Sequence, residues 1–163
     1  MSQAVADREC RSALQRGAPS ILYFAHGLPG FAGLRRWELV EHGEARPFLW
    51  LRAVERPQAA LLVVDPQEVV GDYRPGIPAG VWSRLGNGSE ARSRRLVVVS
   101  LSGPEASANL RAPLVIDPQT MRGEQVILDD DQWPVRFPIA PHEASETQPG
   151  TGRSPACWSS AAR

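Results

Sequence analysis

The sequence predicts an all-β protein, a small antiparallel β-barrel-like single domain with one or two short helices and disordered termini. Three observations lead there. The apolar residues come in short runs of three to five. Fifteen prolines and fourteen glycines in 163 residues punctuate those runs. The runs follow one another without the long helical periods that a parallel βαβ layout needs.

The first strand is predicted at Ile21-Leu22-Tyr23-Phe24, closed by the Pro-Gly turn of Gly27-Leu28-Pro29-Gly30-Phe31. Residues 34–41 follow, with Trp37 and Leu39 on one face and Arg36 and Glu38 flanking them. Phe48-Leu49-Trp50-Leu51 is the third strand, and residues 60–64 are the fourth, ended by Asp65-Pro66. Leu96-Val97-Val98-Val99 is continuously apolar, as in a strand buried on both faces. Leu114-Val115-Ile116 and Val126-Ile127-Leu128 are two more strands. In the last, residues 133–139, Trp133, Val135, Phe137 and Ile139 alternate with Pro134, Arg136 and Pro138. A proline cannot donate to a ladder, so this strand belongs at an edge or rim. One helix is expected between Pro78 and Gly86, where Val81, Trp82 and Leu85 form an apolar face and the glycine can end it.

Two tails flank this domain, which spans residues 19–141. Residues 1–18 are polar and alanine-rich, and residues 142–163 are rich in Ser, Thr, Pro, Gly and Ala. Neither holds enough apolar material to bury, so both are expected to be disordered. The N-terminal tail has no apolar core of a signal peptide, and no run reaches the length of a membrane span. The default location is therefore the cytoplasm, with no membrane partner.

Charge excludes another class. Eighteen basic residues, all arginine, balance eighteen acidic ones. Phosphate binding needs a cationic excess, so no direct nucleic-acid contact is expected. Cys10 and Cys157 have no Cys or His at ligand spacing, and His26, His42 and His142 form no pair at helical or strand spacing. Hence no metal, cofactor or catalytic site is predicted. Glycines 27 and 30 do not lead into a helix, which excludes a phosphate cradle. Asp129-Asp130-Asp131 has too few oxygen ligands for a calcium loop and reads as a solvated loop or a contact for a basic partner. Asn109 is a turn-type residue just before strand material. It can bond local backbone to fix a bend, or support a binding surface by doing so.

Several segments together resemble a known family. They are Gly27-Leu28-Pro29-Gly30-Phe31; Phe48-Leu49-Trp50-Leu51 with Glu55, Pro57 and Val63-Val64-Asp65-Pro66; the pair Asp72-Tyr73; and Ala108-Asn109-Leu110-Arg111-Ala112-Pro113-Leu114-Val115-Ile116, followed by Arg122-Gly123 and Gln125-Val126-Ile127-Leu128. Their order and spacing resemble the flagellar assembly factor family, FliW, over residues 20–139. The chain departs from the family pattern at Ala108, where a β-branched residue is usual, and over residues 81–95. The resemblance implies a non-enzymatic, barrel-like protein, a monomer when free. It implies two partners, flagellin and the carbon storage regulator, a translational repressor of flagellin messenger RNA. It also implies that Asn109, Leu110, Ala112 and Pro113, in the best-marked block, take part in partner binding. A small β-barrel ligand-binding protein or hydrolase is the alternative; it would need a deep polar pocket with converging titratable groups.

Overall fold

In a computed structural model of the chain, residues 20–41, 46–86 and 90–139 are described. The expected disorder of residues 1–18 and 142–163 falls outside them, as do Cys10, Cys157, His42 and His142. Among the described residues, nine strands run in the order β1 (Ser20–Phe24), β2 (Arg36–Glu41), β3 (Leu49–Ala53), β4 (Ala60–Val64), β5 (Arg94–Ser102), β6 (Glu105–Ala108), β7 (Leu114–Asp117), β8 (Arg122–Gln125) and β9 (Phe137–Ile139). One α-helix, α1 (Ala79–Leu85), and two single turns of 3-10 helix, Pro66–Glu68 and Glu90–Arg92, lie between β4 and β5.

The strands pair in the order β4-β3-β2-β1-β8-β7-β5-β6-β9, and β4 also pairs with β5. The second pairing closes a ring of β4, β3, β2, β1, β8, β7 and β5, with β6 and β9 carried outside it. Strand direction can reverse only an even number of times around a closed ring. A ring of seven strands therefore cannot be antiparallel throughout, and the β1–β8 pair is parallel. The other pairings are antiparallel, as expected.

Alternation along the strands decides what fills the ring. Leu22 and Phe24 of β1, Trp37 of β2, Leu51 and Ala53 of β3, Val63 of β4, Leu96 of β5, and Leu114 and Ile116 of β7 form one buried cluster inside it. Leu28, Phe31 and Leu34, from the loop after β1, pack against the same cluster. Phe31 meets Trp37 edge-on at 5.6 Å, and the Trp37 indole N–H donates to the Leu34 carbonyl. The outer faces need separate covers. Val81, Trp82 and Leu85 of α1 lie over Val115, Val126 and Leu128. Tyr73 covers Val64, Val97, Val99 and Leu110.

The predicted helix is α1, and its C-cap is the left-handed Gly86. The edge reading also holds, since β9, with Pro138 at its centre, is outermost in the strand order. Two expected strands differ from the structure, and one strand was not expected. Val126-Ile127-Leu128 is not a ladder strand; the strand lies earlier, in the polar Arg122–Gln125, because that stretch faces β1 and β7. The predicted strand at 133–139 shortens to Phe137–Ile139, because Trp133 ends a turn whose N–H bonds the Asp130 carbonyl. The strand β6, Glu-Ala-Ser-Ala, has no β-branched or aromatic residue to announce it. It forms because the turn at Gly103, at φ +59°, folds it back on β5.

Candidate functional site

Strands β6 and β7 lie against β5, and between them the chain bulges. Ala108 stands opposite Val99 and Leu114 opposite Leu96. Five residues, 109–113, thus face only Val97 and Val98, so the chain is thrown outward from the ladder. A bulge this size strands backbone groups that must find other partners. The Asn109 N–H donates to the Val98 carbonyl at 2.9 Å, and the Leu110 N–H to the Pro134 carbonyl at 3.1 Å. The four carbonyls that follow each accept a bond. The Tyr73 hydroxyl reaches Leu110 O at 2.6 Å, and the Leu128 N–H reaches Arg111 O at 2.9 Å. The Gln125 side-chain amide reaches Ala112 O at 3.1 Å, and the Val126 N–H reaches Pro113 O at 2.9 Å. Pro113 has no N–H to place.

These bonds explain why residues 126–128 leave the ladder. Their N–H groups serve the bulge, so Val126 and Leu128 turn inward beneath α1 while Ile127 points out, 69% exposed. Val135, beside the Pro134 acceptor, is 52% exposed. Sequence alternation had placed it on an apolar face with Trp133, Phe137 and Ile139. The turn at residues 130–133 breaks that alternation, and Trp133 packs edge-on against Tyr73 at 4.6 Å instead. Burial pushes the Tyr73 phenol well above the ordinary tyrosine range, against a smaller opposing effect of the Arg95 guanidinium.

The four residues expected at a partner site sit differently from one another. Leu110, Ala112 and Pro113 are buried, and Asn109 is half-buried. Any influence of the buried three on a partner therefore runs through the shape of the bulge. The exposed groups are Ile127 and Val135, with the acidic run alongside. Two of the three aspartates are engaged locally. Asp130 accepts from the Gln132 N–H at 3.0 Å, and Asp131 accepts from Arg111 at 2.5 Å. Sequence reasoning missed Ile127 and Val135 because each looked like one more member of an apolar strand.

Among the described residues, no group of three or more His, Cys, Asp or Glu is placed to hold a metal ion. No helix among them is long and apolar enough to cross a membrane.

The family model described as FliW protein matches residues 8–139. Similar proteins include the flagellar assembly factor FliW of Caldanaerobacter subterraneus subsp. tengcongensis, 33% identical over 124 residues, 73% of this chain and 81% of that one. The flagellar assembly factor FliW of Carboxydothermus hydrogenoformans is 34% identical over 122 residues, 73% of this chain and 78% of that one. A crystal structure of the flagellar assembly factor FliW superposes with a TM-score of 0.69 at 25% identity, covering 76% of this chain and 88% of that chain.

Proposed function

Since the chain belongs to the FliW family of flagellar assembly factors, we propose that it is a cytoplasmic, non-enzymatic switch protein that binds flagellin and antagonises the carbon storage regulator. Free protein sequesters the repressor, and flagellin synthesis proceeds. Flagellin that accumulates captures the protein and returns the repressor to its messenger RNA. The observation that carries this reading is the exposed apolar pair, Ile127 and Val135, on the two segments that bond the backbone of residues 109–113. Its backbone is held by hydrogen bonds on both sides, so a partner meets a surface that is already formed. A terminal helix of flagellin, apolar on one face before filament assembly, suits such a surface.

The alternative of a ligand-carrying barrel finds less support. The inward positions that would line a carrier's cavity are filled by Leu22, Phe24, Trp37, Leu51 and their neighbours.

A domain of this size has room for two standard interfaces, each of about 800 Å² per partner. Exclusion between the partners must then come from overlap or from coupling between sites. To displace an equal concentration of repressor tenfold, flagellin needs about 1.4 kcal/mol more binding free energy. The test is titration calorimetry of the repressor into protein presaturated with flagellin. Loss of the repressor heat is expected. An undiminished signal, with all three proteins co-eluting on a sizing column, overturns the switch.

A further inference from the structure

The glycine-containing loop after β1 has a role that the flagellin reading does not use. It walls a cleft of about 480 Å³, whose opposite side is α1 and β8. That volume lies within the range of ligand pockets in general. The cleft is preformed. Gly27 sits at φ +69°, and a Cβ there would lie 2.7 Å from the Ala32 carbonyl oxygen, so the loop closes on itself only with glycine. On the β8 side, a Cβ on Gly123 would lie 2.6 Å from the ring of Phe24, which is buried. Leu28 anchors the loop in the barrel interior.

The lining combines two chemistries. Tyr23 is 40% exposed, and with the exposed Pro29 it forms an apolar lip. Across from them the Arg84 guanidinium makes a two-pronged pair with Glu124, at 2.9 Å through Nε and 2.7 Å through the second nitrogen, joining α1 to β8. Arg84 and Glu124 cancel in charge. Arg122 is left over: it is exposed, it lines the same cleft, and it has no ion-pair partner among the described residues. Asp117, its cross-strand neighbour, is buried and accepts instead from the Gln119 N–H at 2.9 Å. The cleft thus offers one uncompensated guanidinium beside an aromatic and proline lip.

We propose that this cleft is a recognition site for a protein segment that places a carboxylate side chain next to an apolar one. The carboxylate meets Arg122, whose planar fork suits it. The apolar neighbour covers Tyr23 and Pro29. Neither Ile127 nor Val135 lines the cleft, and the proposal stands whether or not flagellin is the partner at those two residues.

The test uses the full chain, isotope-labelled, and two blocked peptides of sequence Glu-Leu-Phe and Gln-Leu-Phe at millimolar concentration, with sodium acetate at the same concentration. The Glu peptide should shift the amide signals of Gly27, Gly30 and Gly123 and the Arg122 side-chain signal. The Gln peptide should bind at least fivefold more weakly, and acetate should leave the glycine signals in place. Arg122→Gln, at an exposed position and with no new carboxylate set opposite Asp117, should weaken the Glu-peptide response at least fivefold while the melting temperature stays unchanged. The proposal is overturned by an absent response at the cleft, by equal binding of the Gln peptide, by an acetate response equal to the peptide's, which would make it a free-anion site, or by an Arg122→Gln protein that binds as before.

Discussion

The hydroxyl of Tyr73 donates a 2.6 Å hydrogen bond to the carbonyl of Leu110, thirty-seven residues further along the chain. Both residues are buried, and the bond joins the segment that covers the barrel's outer face to the bulge at residues 109–113. No strand pairing links the two.

Tyr73→Phe should therefore destabilise the protein by about 1–3 kcal/mol, since it leaves a buried carbonyl without its donor. Urea unfolding of the two proteins at neutral pH reads this directly. A loss under about 0.5 kcal/mol would mean that water replaces the phenol at no cost.

The same tyrosine predicts a pH dependence. Its folded pKa is raised above the ordinary value of 10.0 because burial penalises the phenolate. Above pH 10 the unfolded chain gives up this proton while the folded one keeps it, so the unfolded state is favoured. The contribution of Tyr73 is fully present below the unfolded value and is lost as the pH climbs toward the folded one. Urea midpoints at pH 8 and at pH 11 should fall more steeply for the wild type than for Tyr73→Phe. Parallel declines would place the alkaline transition elsewhere.

Two glycines of the loop after β1 should respond differently to alanine. Gly30, at φ +82°, has nothing within 4 Å of a Cβ, so Gly30→Ala meets only the left-handed backbone penalty of about 1–2 kcal/mol. Gly27→Ala meets that penalty and a 2.7 Å contact with the Ala32 backbone, which cannot move without opening the loop. Thermal melts should show the Gly27 variant losing clearly more stability than the Gly30 variant. Equal losses would refute the close approach.

At the bulge, stability and binding should separate. Ile127→Asp and Val135→Asp change side chains that are 69% and 52% exposed, so unfolding free energies should stay within about 0.5 kcal/mol of wild type. Flagellin affinity should fall at least tenfold, or about 1.4 kcal/mol, as a charge enters an apolar contact. Asn109→Ala removes a buried Oδ1 that has no hydrogen-bond partner and keeps the backbone bond to Val98, so it too should stay within about 0.5 kcal/mol of wild type while binding weakens. Full affinity in all three variants would remove the partner surface from this part of the fold.

Local pattern alone determined much of this protein. The first four strands, the core of β5, α1 with its Gly86 cap and the edge position of β9 all follow from apolar periodicity, from proline's missing donor and from glycine's freedom at positive φ. The family, too, was legible in the order of a few short blocks. Tertiary structure decided the rest. The Glu-Ala-Ser-Ala of β6 becomes a strand only because β5 supplies its partner. The apolar run at 126–128 gives up its ladder because its N–H groups are needed by carbonyls at 111 and 113. Leu110, Ala112 and Pro113, conspicuous in sequence, are buried, while Ile127 and Val135, which looked like core, face solvent. Periodicity encodes which side of a strand a residue takes, but the donor that a buried carbonyl finds lies far away in sequence, and only the folded chain brings the two together.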